Sequence, residues 1–156
     1  MAESVFKYLL RERGLTEKYR VSSAATHPDD LGSPPYYATV QKLNELHIPV
    51  ADHRARLMTR EDGEKWDYIV GMDEENRKSM RRILGERYFD KIYLLLDFTP
   101  SPRPIADPWY TRDFDRAYAD IRTGLEALLN KLETEYIQSK IPRRFFDGGF
   151  YRGLRV

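Results

Sequence analysis

Helical stripes alternating with short, continuously apolar runs predict an α/β fold, a doubly wound parallel sheet flanked by helices. Three observations carry this reading. Apolar residues recur at helical spacing in four segments, short β-permissive runs stand between them, and the clearest of those runs, Asp67 to Met72 and Lys91 to Leu96, do not alternate in polarity. Strands covered by helices on both faces have no reason to alternate.

Taken in order, Val5, Phe6, Leu9 and Leu10 share one helical face, Arg11 and Arg13 suit a helix C-terminus and Gly14 can end the turn, so residues 1–13 read as a helix. Residues 19–26, Tyr-Arg-Val-Ser-Ser-Ala-Ala-Thr, read as a strand running into a loop dense in turn formers from His27 to Pro35. Val40, Leu43 and Leu46 mark a second helix. After the strand at Asp67 to Met72, Asp73 offers an N-cap for a helix bearing Met80, Ile83 and Leu84. Lys91 to Leu96 is the strongest strand signal. A proline-rich loop from Phe98 to Pro108 leads to the best-defined helix, whose stripe runs through Phe114, Ala117, Tyr118, Ile121, Leu125, Leu128 and Leu132.

At 156 residues the chain has the size of one domain, and 26 basic against 25 acidic side chains describe a polar, nearly neutral surface. Its longest apolar stretch, Ile92 to Leu96, falls far short of the roughly 20 residues that span a bilayer, so no membrane partner is expected. The opening Met1-Ala2-Glu3-Ser4 does not read as a secretory leader, which makes the cytoplasm the expected compartment. The absence of cysteine excludes disulfides, thiolate metal sites and cysteine nucleophiles. Histidines at 27, 47 and 53 lack metal-ligand spacing, so neither metal nor cofactor is expected. Residues 77–87 carry five basic side chains and one acid, a local charge of +4. With a whole-chain charge of +1 this reads as a solvated helix face, not a nucleic-acid surface. Eleven tyrosines are many for the length, and most sit where burial explains them.

In a doubly wound sheet, ligands sit beyond the carboxyl ends of the strands. The loops there hold His27, Asp29, Asp30, Asp73 and Asp107. The first helix lacks an N-cap residue, and its free α-amino charge meets the positive end of the helix dipole, as though a strand and loop were missing upstream.

Four segments, in order, resemble the low-molecular-weight protein tyrosine phosphatases: Met1-Ala2-Glu3-Ser4-Val5-Phe6; Val21 to Thr26 with Gly32-Ser33-Pro34-Pro35; Asp67 to Asp73 with Asn76; and Asp107-Pro108-Trp109-Tyr110. The resemblance covers Met1 to about Leu132, which divides the chain into a phosphatase-like domain, 1–132, and a C-terminal extension, 133–156. It implies a phosphotyrosine-phosphatase fold whose first strand, together with the phosphate loop that carries the nucleophilic cysteine and an arginine, would precede Met1. The family hydrolyses phosphate monoesters through a phosphocysteine, so the chain as written is expected to be inactive.

By the same resemblance Asp107 is the general acid, Trp109 and Tyr110 wall the substrate ring, His27 belongs to the substrate rim, and Ser23 and His53 hold the phosphate loop in shape. The plainer readings are an Asp-Pro turn, aromatics that pin a loop, a polar strand end and a surface histidine. The implied partner is a phosphotyrosine protein or a small phosphate monoester, and the strand edges exposed by the missing strand imply self-association. Arsenate reductases of similar fold need further cysteines and are excluded. A pseudophosphatase acting as a binding module and an unrelated α/β binding protein remain open alternatives. Residues 141–156, rich in arginine, glycine and aromatics, read as a flexible extension or as a cover for the exposed surface.

Overall fold

The computed structural model describes residues 1–28, 31–52 and 54–140. Helix α1 (Ala2–Glu12) is followed by an extended segment, then α2 (Tyr37–Glu45), a short α3 (Asp62–Lys65), strand β1 (Ile69–Gly71), α4 (Glu74–Leu84), strand β2 (Ile92–Leu94), a one-turn α5 (Pro108–Thr111) and the long α6 (Phe114–Lys140). Strands β1 and β2 pair in parallel, with Ile69 opposite Ile92, Val70 opposite Tyr93 and Gly71 opposite Leu94.

Successive strand side chains point to opposite faces, and this splits the core into two layers. Ile69 and Ile92 join Met80 and Leu84 of α4 and Tyr88 on one face. Val70 and Tyr93 turn to the other face, against Phe6 and Leu10 of α1, Leu43 of α2 and Leu125, Leu128 and Leu129 of α6. Helices therefore cover both sides, and the fold is the α/β architecture with a parallel sheet that the sequence predicts.

Two predicted strands are shorter than expected. Residues 19–26 run extended, but their bridge is a single parallel contact between Ala25 and Leu57, made by Ala25 N–H to the Arg56 carbonyl and Met58 N–H to the Ala25 carbonyl, each 2.8 Å. A strand exists as a ladder, and β propensity cannot create one without a partner along its length. In the second case the apolar run from Lys91 to Leu96 leaves the sheet after Leu94 and winds into a 3₁₀ turn, Leu95–Phe98. The Asp97 carboxylate accepts the Leu94 N–H at 2.8 Å and closes this turn, and Leu95 and Leu96 pack beneath α6. Five apolar residues in a row, Ile92 to Leu96, report burial, not period, so the sequence reads them as one strand.

The helices form where periodicity places them, and α6 continues past Leu132 to Lys140. Residues 141–156 lie outside the described residues. Met1 stands at the N-cap of α1 without a side-chain cap, as expected. Burial there pushes the Met1 amine below its usual pKa, with the Glu3 carboxylate pulling the other way.

Short α3 and the 3₁₀ turn Glu86–Lys91 were not foreseen from the sequence. The first depends on Asp62, a buried carboxylate that accepts the Thr59 N–H at 2.9 Å and both arms of the Arg56 guanidinium at 3.2 Å. That tertiary partner is not visible in a local window.

Two glycines set the spacing of the layers. A Cβ at Gly71 would come within 2.7 Å of Met80 Cε and 2.8 Å of Asn76 Cβ, so α4 lies directly against β1. A Cβ at Gly124 would lie 2.5 Å from Leu95 Cγ and 3.0 Å from the Leu95 carbonyl oxygen. In an exposed helix Gly→Ala gains about 1 kcal/mol. Here Leu95 is fully buried and a backbone atom is in the way, so overpacking at about 1–3 kcal/mol wins. Gly124→Ala is expected to lower the melting temperature by several degrees, and a rise on thermal denaturation would refute this contact. The N-cap of α4, where Asp73 accepts the Asn76 N–H at 2.7 Å, is the second check: Asp73→Ala is expected to cost about 1 kcal/mol in a chemical denaturation curve.

Candidate functional site

The candidate residues lie mainly on two features, a cleft beside β1 rimmed by His27 and the short helix α5 that carries Asp107, Trp109 and Tyr110. Asn76 reaches back from the first turn of α4, its side-chain oxygen accepting the Met72 N–H at 3.0 Å. The Met72 carbonyl in turn accepts the Ile105 N–H at 2.8 Å. These two bonds moor the proline-rich loop to the strand end two residues before Asp107.

Asp107 caps α5, accepting the Trp109 N–H at 2.8 Å, and Pro108 fits the first helical turn because its missing N–H is not needed there. The Asp-Pro pair thus does what its plainer reading says, and the same cap leaves Asp107 exposed beside the aromatic pair. Trp109 and Tyr110 are 50% and 82% exposed. Trp109 meets the ring of Tyr36 edge-on at 4.9 Å, and Tyr36 stacks on Phe114 at 6.1 Å. Trp109 is therefore held by the start of α2, while Tyr110 stands in solvent.

A cleft of about 300 Å³ opens beside the same strand end, lined by Ala24, Ala25, Thr26 and His27, by Met58, and by Val70, Gly71, Asn76 and Met80. His27 sits at its rim, its Nδ1 3.1 Å from the Thr26 hydroxyl. Among the described residues β1 is laddered to β2 alone, and the 21–25 segment has one bridge, Ala25 to Leu57, next to Met58 of the cleft lining.

Ser23 lies at the other end of this segment, donating its hydroxyl to the Glu3 carboxylate at 2.5 Å. Glu3 also holds the Lys7 ammonium at 2.6 Å. Ser23 is thus tied to α1, at the start of the chain. Asp29, Asp30 and His53 lie outside the described residues. Asp73 is occupied as the α4 cap.

The structure brings Asp107, Trp109 and Tyr110 together on one short helix and sets His27 at the cleft beside β1. Sequence reasoning missed Tyr36, the ring on which Trp109 leans, and Arg112, whose guanidinium lies over Trp109 at 5.4 Å. Nothing local pairs Tyr36 with residue 109, which is distant in the chain. Three of the five basic side chains in residues 77–87 are engaged within the domain: Arg77 pairs with Asp97 and Glu74, Arg81 covers Phe89 and Arg87 covers Tyr88. Among the described residues no helix is long and apolar enough to cross a membrane.

A family model for low molecular weight phosphotyrosine protein phosphatase matches residues 1–140. The low molecular weight protein-tyrosine-phosphatase YfkJ of Bacillus subtilis is 33% identical, with 86% of this chain and 88% of that protein aligned. The human low molecular weight phosphotyrosine protein phosphatase is 36% identical, over 84% and 85% of the two chains. Among solved structures, YfkJ superposes with a TM-score of 0.82 at 32% identity, covering 86% of each chain. A protein tyrosine phosphatase from Entamoeba histolytica superposes with a TM-score of 0.79 at 29% identity, covering 86% of this chain and 88% of its own. With the acid, the aromatic pair and the strand end arranged as described, the chain belongs to the low molecular weight phosphotyrosine protein phosphatase family.

Proposed function

We propose that this domain serves the hydrolysis of phosphotyrosine-type monoesters, contributing the proton donor and the ring walls, and that these 156 residues alone do not turn substrate over. The observation that carries the reading is Asp107 on its α5 cap, exposed between the moored strand end and the aromatic pair. A carboxylic acid there can protonate a leaving phenolate and then take a proton from water, while Trp109 and Tyr110 flank the ring.

The nucleophile is the step this chain does not supply. Attack on phosphorus in the family proceeds from a thiolate to a phosphocysteine, and the sequence contains no cysteine. The cleft between the 21–25 segment and β1 supports a form in which one more parallel strand pairs with both edges, followed by a phosphate loop leading into α1. Ser23 and Glu3, joined where that loop would meet α1, would then serve as its supports. A polypeptide bearing that strand and loop is an active phosphatase; a native polypeptide that begins at Met1 is a pseudophosphatase that binds without chemistry. Intact mass and N-terminal sequencing of the protein from its native source decide between them.

The chain as given is expected to show no hydrolysis of p-nitrophenyl phosphate and no burst of nitrophenolate; turnover would mean a different nucleophile and refute the reading. Fusing an upstream strand with a Cys-x5-Arg-Ser loop is expected to create activity. In that form Asp107→Asn should lower kcat by about 10²- to 10⁴-fold, the usual contribution of a positioned acid; an unchanged kcat would remove Asp107 from the role. Open strand edges also favour association of the isolated chain. Light scattering after size exclusion is expected to show a mass that rises with concentration, and a strict monomer of high melting temperature would contradict it.

A further inference from the structure

One cation beside the aromatic wall is left over by the reading above. Helix α5 ends on Arg112, whose φ of 59° places a non-glycine residue in the left-handed region. Such a conformation costs on the order of 1 kcal/mol or more and persists where the surroundings enforce it. Here it turns the arginine back over its own helix. The guanidinium carbon lies 5.4 Å from the centre of the Trp109 ring, and Nη1 donates one long hydrogen bond, 3.4 Å, to the Tyr36 hydroxyl.

The carboxylates nearest in the chain are committed elsewhere. Asp107 caps α5, Asp113 accepts the Arg116 N–H at 2.9 Å, and Asp115 pairs with Lys42. Among the described residues, Arg112 meets no carboxylate. A guanidinium carries five N–H donors in a planar fork, and this one has a single weak engagement, so a bidentate edge faces solvent. It lies on a bed of rings: Tyr36 and Tyr37 are 4.6 Å apart, and Tyr37 is 70% exposed. Cation and rings together form a surface that an acidic side chain beside an apolar one fits, the carboxylate on the fork and the apolar group on the rings.

We propose that Arg112, on the ring bed of Trp109, Tyr36 and Tyr37, is a specificity-determining residue that recognises an aspartate or glutamate side chain flanking the target tyrosine of a protein substrate. This rests on the phosphotyrosine reading for its placement: the fork sits one helical turn past Asp107, where residues next to the reacting one would lie. The patch then selects acidic peptide segments among phosphotyrosine sites.

The test uses the chain as it stands, with fluorescein-labelled peptides read by anisotropy at low salt. Three peptides suffice: a phosphotyrosine peptide flanked by glutamates, the same peptide with glutamines, and the glutamate peptide without phosphate. The glutamate peptide is expected to bind about three- to fivefold tighter than the glutamine peptide, the range of an exposed charge pair, with the difference fading as salt rises. Arg112→Gly removes the fork and suits the left-handed backbone, so it is expected to retain the fold, checked by its melting curve, while abolishing the preference. Arg112→Lys keeps the charge without the fork and is expected to lose most of it.

Equal binding of the glutamate and glutamine peptides, including no detectable binding of either, overturns the proposal. So does a preference that survives in Arg112→Gly. A glutamate preference that is the same with and without phosphate supports the subsite; if it stays so in the form fused to the upstream strand and Cys-x5-Arg-Ser loop, it counts against the phosphotyrosine reading. Phosphate-dependent binding with no glutamate preference does the reverse.

Discussion

The seam where α6 crosses the turn after β2 is the contact on which the other elements depend. A strand pair of three residues cannot hold itself together in water; it needs a covered face. Gly124 lets the helix approach until Leu95 touches its backbone surface, and Leu125, Leu128 and Leu129 then close over Leu95 and Leu96. Because α6 is fixed there, α1 and α2 have a wall to pack against through Phe6, Leu10 and Leu43. The loop that precedes α6 is fixed at the same time, and with it α5. The position of the acid thus follows from a glycine seventeen residues later in the chain.

Strand ends carry the second layer of order. The backbone groups that leave the ladder after Gly71 would be buried without partners, and the structure satisfies them with the Asn76 side chain and the Ile105 N–H. These bonds answer a local requirement, and their by-product is to bring the Asp107 loop to the carboxyl end of β1, where doubly wound sheets hold their ligands. The same logic at Leu94, met by the Asp97 carboxylate, turns the chain under α6 and ends the second strand. The geometry at this end of the molecule is a consequence of how polar backbone is terminated.

Charge in the domain is mostly settled internally. Arg56 neutralises the buried Asp62, Arg77 bridges to Asp97 and Glu74, and Arg103 holds Asp120 through two hydrogen bonds of 2.8 and 2.6 Å. Against that background the position of Arg112, over an indole in a costly backbone conformation, stands out as a charge directed outward. The aromatic surface around it is also unusual for exposed protein, since tryptophan and tyrosine rings gain from burial. Both features sit beside Asp107, so the part of the surface that departs from ordinary folding preferences coincides with the proposed site.

What the sequence by itself determined is the four amphipathic helices α1, α2, α4 and α6, their apolar faces and the family. Periodicity in α1, α2, α4 and α6 survives any choice of partner, because an amphipathic stripe must be buried wherever it lands. The Asp73 cap and the Asp107-Pro108-Trp109-Tyr110 turn are local hydrogen-bond chemistry and were legible in the same way. Strand extent was not legible, since a ladder is a property of two segments: residues 19–26 have β-permissive side chains and yet one bridge, and Leu95 and Leu96 are as apolar as a strand requires and yet lie in a 3₁₀ turn. Nor was the ring bed, because Tyr36 meets Trp109 only after α2 and α6 have both docked. Tertiary structure decided those points for one physical reason: pairing, closure and stacking depend on the distance between residues far apart in the chain, which no local pattern encodes.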